Sequence, residues 1–182
     1  MRADGGADWS RAQRRLHWTN AALILLAFPI AWVMVAVPFR ELLLKFVLFQ
    51  VHKTLGLLVL MTGLARVFVR VRHGRPEWDA GLPRWQRKAA ERLHVALYIL
   101  LLLVPVLGYL VACTAPIQIP TLFFGIVPVP ALFGVNKVWF PVLLNLHRAA
   151  AIALVLLAAG HAAAAVHNHR RGRNVLRRMW SG

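Results

Sequence analysis

His147 and His161 lie 14 residues apart beside and within a stretch, Ala149 to His169, that holds no Asp, Glu, Lys or Arg. On an α-helix, 14 residues at about 100° each return to within about 40° of the same face, after a rise of roughly 21 Å. A segment this apolar reads as membrane-spanning, and there an imidazole nitrogen finds no bulk water to bind. The bilayer core is about 30 Å thick, so two ring nitrogens that far apart serve two separate sites, one toward each surface. Each site then needs an opposing ligand from another helix. His17 and His52 sit near the ends of two other apolar segments. Four histidines so arranged suit two haems, each held between a pair of imidazoles.

The elements that must position them are readable from composition. Of the 182 residues, 59% are hydrophobic, and the mean hydropathy is +0.60. A soluble domain of this composition would lack polar surface, whereas a small helical bundle in lipid needs little. The net charge is +16, from 22 Lys and Arg against 6 Asp and Glu. Such a balance also suits nucleic acid. Here the basic residues fall between the apolar runs, as a membrane topology signal does, so the expected partner is lipid and not nucleic acid. Cys113 is the single cysteine, which excludes an internal disulfide, a CxxCH attachment and a thiolate cluster. Any haem is therefore held non-covalently. The N-terminus carries Arg2, Asp4 and Asp8, and its first apolar run lacks a small-residue cleavage site, so that run is read as retained.

Four apolar spans can be traced, over about residues 16–39, 46–69, 93–114 and 138–166. The second is interrupted by Lys53 and Arg66; near the start of a span, Lys53 can snorkel to the surface. The third fades where Pro116, Pro120, Pro128 and Pro130 break the helical pattern. Pro29, Pro105 and Pro141 lie in or beside spans, where neighbouring helices accommodate them. Seventeen Lys and Arg fall in the N-terminal segment, the second connection and the tail, against five in the other connections and adjoining span ends. The positive-inside rule then puts both termini in the cytoplasm and residues 115–137 outside. The expected fold is all-α: one integral-membrane four-helix bundle over residues 1–182.

This topology pairs the histidines by depth. His17 opens the first span inside, His52 lies near the outer end of the second, and the descending fourth span carries His147 outside and His161 toward the inside. The pairs are His17 with His161 and His52 with His147, and bis-histidine ligation leaves the iron no open position, which favours electron transfer over oxygen binding. Because His161 precedes Arg170 by nine residues, the fourth helix is expected to run beyond the bilayer. His94, at the inner end of the third span, competes with His17 as a ligand and equally suits an interfacial or proton-path role. His73, His167 and His169 read as surface residues. Lys53, Arg66 and Arg148 are basic groups near span ends, candidates to pair with haem propionates or simply to snorkel. Gly56, Gly63, Gly108 and Gly160 can thin helices for close packing or for a flat porphyrin, Gly160 beside His161 above all. The tryptophans, Trp18, Trp78, Trp85 and Trp139 among them, read as interfacial anchors. Asn20, Asn145 and Gln118 have amides able to bind a quinone carbonyl, with nothing to single one out.

Several stretches carry a family resemblance: RRLHW (Arg14–Trp18), HKTLGLLVL (His52–Leu60) with Arg66 after it, and HVALYILLLLVPVLGYL (His94–Leu110). With them go HRAAAIALVLLAAGHAAAAVHNH (His147–His169) and LRRM (Leu176–Met179). Together these resemble the bacterial cytochrome b561 family over nearly the whole chain. That family is similar to the membrane cytochromes of hydrogenases and formate dehydrogenases, whose first, second and fourth helices supply the haem ligands. The resemblance implies His17, His52, His147 and His161 as ligands of two haem b groups in a multi-pass protein of the bacterial inner membrane. It also implies electron exchange with ubiquinone or another quinone, and some members oxidise superoxide. A stand-alone quinone-linked oxidoreductase is therefore expected, with superoxide or a redox partner protein as candidate donors. The alternative is a membrane cytochrome b subunit of a larger dehydrogenase. A haem-free transporter is disfavoured by four short spans without a second half or a charged pore lining. One departure stands out: Arg173-Asn174 replaces an acidic residue that often precedes the Leu-Arg-Met ending.

Overall fold

The structure, a computed structural model, describes residues 9–78, 81–173 and 175–180. Arg2, Asp4, Asp8 and Asn174, used in the readings above, lie outside them. Four long helices dominate: α1 (Arg11–Ala36), α2 (Leu42–His73), α3 (Arg84–Thr114) and α4 (Trp139–Arg170). Each is long and apolar enough to cross a membrane. α1 packs on α2, α2 on α3 and α3 on α4. α4 runs on to Arg170, past the span read to about residue 166. α2 begins at Leu42 and α3 at Arg84, before the apolar runs that mark them.

Burial departs from that of a water-soluble bundle: among the described residues five polar residues are buried beside six apolar ones, and many large apolar side chains are exposed. Among the described residues the buried side chains include Gln13, Asn20, Gln50, Thr54 and Thr114, while Leu25, Trp32, Leu43 and Leu156 are exposed. In lipid the apolar face needs no covering, and polar side chains tie helices together from within. Ser10 caps α1 in a capping box with Gln13, whose amide also donates to the Gly74 carbonyl (2.9 Å) and so joins the start of α1 to the end of α2. Gly74 closes α2 at φ 66°. Deeper in, Asn20 (1% exposed) donates to Leu16 O and accepts from the Thr62 hydroxyl.

Two features lie beyond the sequence expectation. The proline-rich connection holds an antiparallel hairpin of β1 (Thr121–Phe123) and β2 (Val127–Val129), with Thr121 opposite Val129 and Phe123 opposite Val127. Its turn takes left-handed backbone at Phe124 (φ 53°) and Gly125 (φ 73°). Phenylalanine pays sterically there, and its amide is held by the Thr54 hydroxyl at 3.2 Å. The second feature is a short helix, α5 (Val175–Trp180), which folds back on α1: Trp18 Nε1 donates to Met179 O (3.0 Å) and its ring meets Trp180 edge-on. One end of the bundle thus carries the hairpin, the other the first described residues and α5.

Candidate functional site

The hairpin-end pair is His52 on α2 and His147 on α4, with ring centres 6.3 Å apart and planes at 82°. His52 Nδ1 donates to the Ala27 carbonyl of α1 (3.2 Å), and His147 Nδ1 to the Val104 carbonyl of α3 (3.0 Å). A carbonyl only accepts, so the proton sits on Nδ1 in both rings and Nε2 keeps its lone pair. Both acceptors lie near an intrahelical proline, Pro29 or Pro105. A carbonyl oxygen has two lone pairs and can serve the helical ladder and an imidazole together. Gly108 lets the His147 ring lie against α3, since a Cβ there would meet His147 Cε1 at 3.0 Å.

At the other end, His17 of α1 and His161 of α4 have ring centres 6.1 Å apart, with planes at 75°. His94 of α3 joins them, its ring centre 5.1 Å from that of His161. Here the ring partner is different: Arg66 Nη2 lies 2.9 Å from His17 Nδ1, and the guanidinium rests over the Tyr98 ring at 5.1 Å. The Trp18 ring stands edge-on to His17, which connects this site to α5. His17 and His161 thus share one end of the bundle and His52 and His147 the other, with His94 nearer to His161 than His17 is.

The remaining nominated residues divide. The Lys53 ammonium donates to the hairpin-side carbonyls of Ile119 (2.8 Å) and Pro120 (3.5 Å). Arg148 is exposed beside His147. Asn20 is committed within the bundle, Gln118 donates to Cys113 O and Ala115 O, and Asn145 is exposed. Sequence reading missed Arg14, whose Nη1 is buried without a hydrogen-bond partner among the described residues. Its signal was present: Arg14 precedes His17 by three residues and so shares its face of α1.

These residues fit haem. An iron between two imidazoles, with metal–nitrogen bonds of about 2 Å and ring centres about 1 Å beyond each nitrogen, sets the ring centres about 6 Å apart. Both pairs meet that distance. A Cβ at Gly56, one turn after His52, or at Gly160, beside His161, would meet nothing within 4 Å, so there is room next to these histidines for a flat group. The orphaned Arg14 nitrogen is a donor suited to a carboxylate, and haem brings two.

A family model described as prokaryotic cytochrome b561 matches residues 8–182. The chain is also similar to cytochrome b561 homolog 1 of Escherichia coli (strain K12), 28% identical over 175 residues, which cover 94% of this chain and 96% of the relative.

Proposed function

The chain belongs to the prokaryotic cytochrome b561 family, and on that footing we propose that it binds two haem b groups and passes single electrons to or from membrane quinone. At the coarser level it is a multi-pass haem b electron-transfer protein of the bacterial inner membrane. The observation that carries the dihaem reading is the spacing of the two histidine pairs, 6.1 and 6.3 Å between ring centres, at opposite ends of the bundle. His17 and His161 hold one group, His52 and His147 the other. When bound, haem supplies a one-electron iron couple.

The chain's own residues orient and surround that couple. Carbonyls of Ala27 and Val104 hold His52 and His147 in the tautomer that presents Nε2. Lys53, Arg148 and Arg14 are the cations for the carboxylates, while Arg66 stands beside His17. Seventeen Lys and Arg against five assign the α5 end to the cytoplasm and the hairpin end outside. Held between two of these imidazoles, a haem would offer no open iron position, so His17, His161, His52 and His147 would restrict it to outer-sphere electron exchange with a donor. For superoxide, the balance is two superoxide giving two O2 and two electrons, which with two protons reduce one quinone to quinol. Lys53 and Arg148 give the outer site a positive surround that attracts such an anion, an effect that weakens with salt.

The test is purified protein in lipid with a quinone present. Low-spin b-type spectra, and haem reduction by quinol or by superoxide in stopped-flow mixing, support the reading; high-spin haem or none contradicts it. Superoxide reduction that slows as ionic strength rises supports steering by Lys53 and Arg148.

A further inference from the structure

The two histidine pairs have the same composition but different surroundings. At the hairpin end both rings donate from Nδ1 to a main-chain carbonyl. At the α5 end, His17 Nδ1 faces Arg66 Nη2 at 2.9 Å, and neither ring nitrogen of His161 has a hydrogen-bond partner among the described residues. A carbonyl drawing on Nδ1–H makes an imidazole a more basic ligand, which favours the oxidised metal. A guanidinium beside the ring has the opposite effect. It offers no acceptor, cannot lose its proton, and disfavours the extra positive charge of the ferric state.

Ligation through Nε2 requires the His17 proton on Nδ1, and that nitrogen then no longer accepts from Arg66 as it does here. The guanidinium is then a neighbouring cation rather than a donor to the ring. It is held by the Tyr98 face. No carboxylate side chain of a described residue pairs with it: Glu91 is bound to Arg75, Glu41 lies next to Arg40 at the hairpin end, and Glu77 makes no ion pair with Arg66. Inside a bundle, where the effective dielectric is low, an uncompensated charge acts more strongly than at a wet surface.

We infer that Arg66 sets the redox potential of the His17–His161 site above that of the His52–His147 site. An electron that enters at the hairpin end therefore comes to rest at the α5 end. The inference rests on the dihaem reading, and its test separates the two. Redox titration of the purified holoprotein, followed optically and by electron paramagnetic resonance, should give two one-electron waves and two low-spin bis-histidine signals. A single wave or high-spin haem overturns the dihaem reading itself.

With two waves established, Arg66→Gln should lower the upper wave by at least tenfold in equilibrium constant, about 59 mV for one electron. The lower wave and both low-spin signals should stay. Arg66→Lys, which keeps the charge, should recover most of the loss, whereas a purely structural role would not track charge. An upper wave that stays put with both haems retained means that the Arg66 charge is neutralised by a haem carboxylate, and overturns the inference. Movement of the lower wave overturns it too. Should Arg66→Gln fail to accumulate, His147→Ala, which removes the hairpin-end ligand, decides the order: the remaining wave must be the upper one, and survival of the lower one overturns the inference.

Discussion

Gly108 and the Val104 carbonyl press the His147 ring from one helix, and the His52 ring leans on Ala27 from another. A methyl group at Gly108 would sit 3.0 Å from His147 Cε1 and 3.3 Å from Nδ1, so either the ring or α3 must yield. Overpacking of this kind costs about 1–3 kcal/mol. Gly108→Ala should therefore lower thermal stability and shift the spectrum of the hairpin-end haem alone, read by low-temperature difference spectroscopy. His52→Ala and His147→Ala should each remove that same haem, and His17→Ala and His161→Ala the other, measured as haem retained per chain. His94→Ala is expected to keep both; loss of the α5-end haem from His94→Ala, with His17→Ala retaining it, would exchange their roles. The four histidines stood out in the sequence because imidazoles on apolar helices at matching depth have few other uses. Arg14 did not, since one arginine in RRLHW looks like any other until its buried nitrogen is found without a partner. Nor could the tie between Lys53 and Ile119 be foreseen, because 66 residues separate them.

The four helices were legible as elements from hydropathy alone, but the hairpin was not. Prolines end helical periodicity without saying what replaces it, and strands of three residues show too little alternation to read. What fixes the hairpin is side chains of α2. Gln50 donates to Pro120 O (2.7 Å) and accepts from Leu122 N (2.9 Å), Lys53 reaches Ile119 O, and Thr54 holds Phe124 N. All three belong to the helix segment that carries His52, so the hairpin covers the end of the bundle where that histidine lies. Each Gln50 hydrogen bond is worth about 0.5–1.5 kcal/mol net. Gln50→Ala should raise hydrogen exchange at the Leu122 amide by an order of magnitude or more and leave α4 amides unchanged. Equal protection in both proteins would show that the hairpin is held by its own pairing. At the other end, Trp18→Ala removes the donor to Met179 O and the ring against Trp180. The tail should then be cut faster by trypsin at Arg177 and Arg178 in detergent-solubilised protein.

For the molecule as a whole, burial and charge asymmetry make one picture: large apolar side chains exposed on the bundle as lipid allows, polar ones holding the helices, and most basic residues toward the α5 end. The positive-inside rule gives that end to the cytoplasm. A C-terminal alkaline phosphatase fusion should therefore be inactive and a green fluorescent protein fusion bright, with the reverse result inverting the topology. The helix pairing depended on that topology, because depth matched His17 with His161 and His52 with His147 before any distance was known. The central claim is that one chain holds two haem b groups, each between two histidines. It is tested most directly by a pyridine haemochrome assay on protein quantified by amino-acid analysis. The account predicts two haem b per chain, fully extractable by acid-acetone, and one per chain after His52→Ala. A ratio of one in the unaltered protein, or haem that remains attached after extraction, would contradict it.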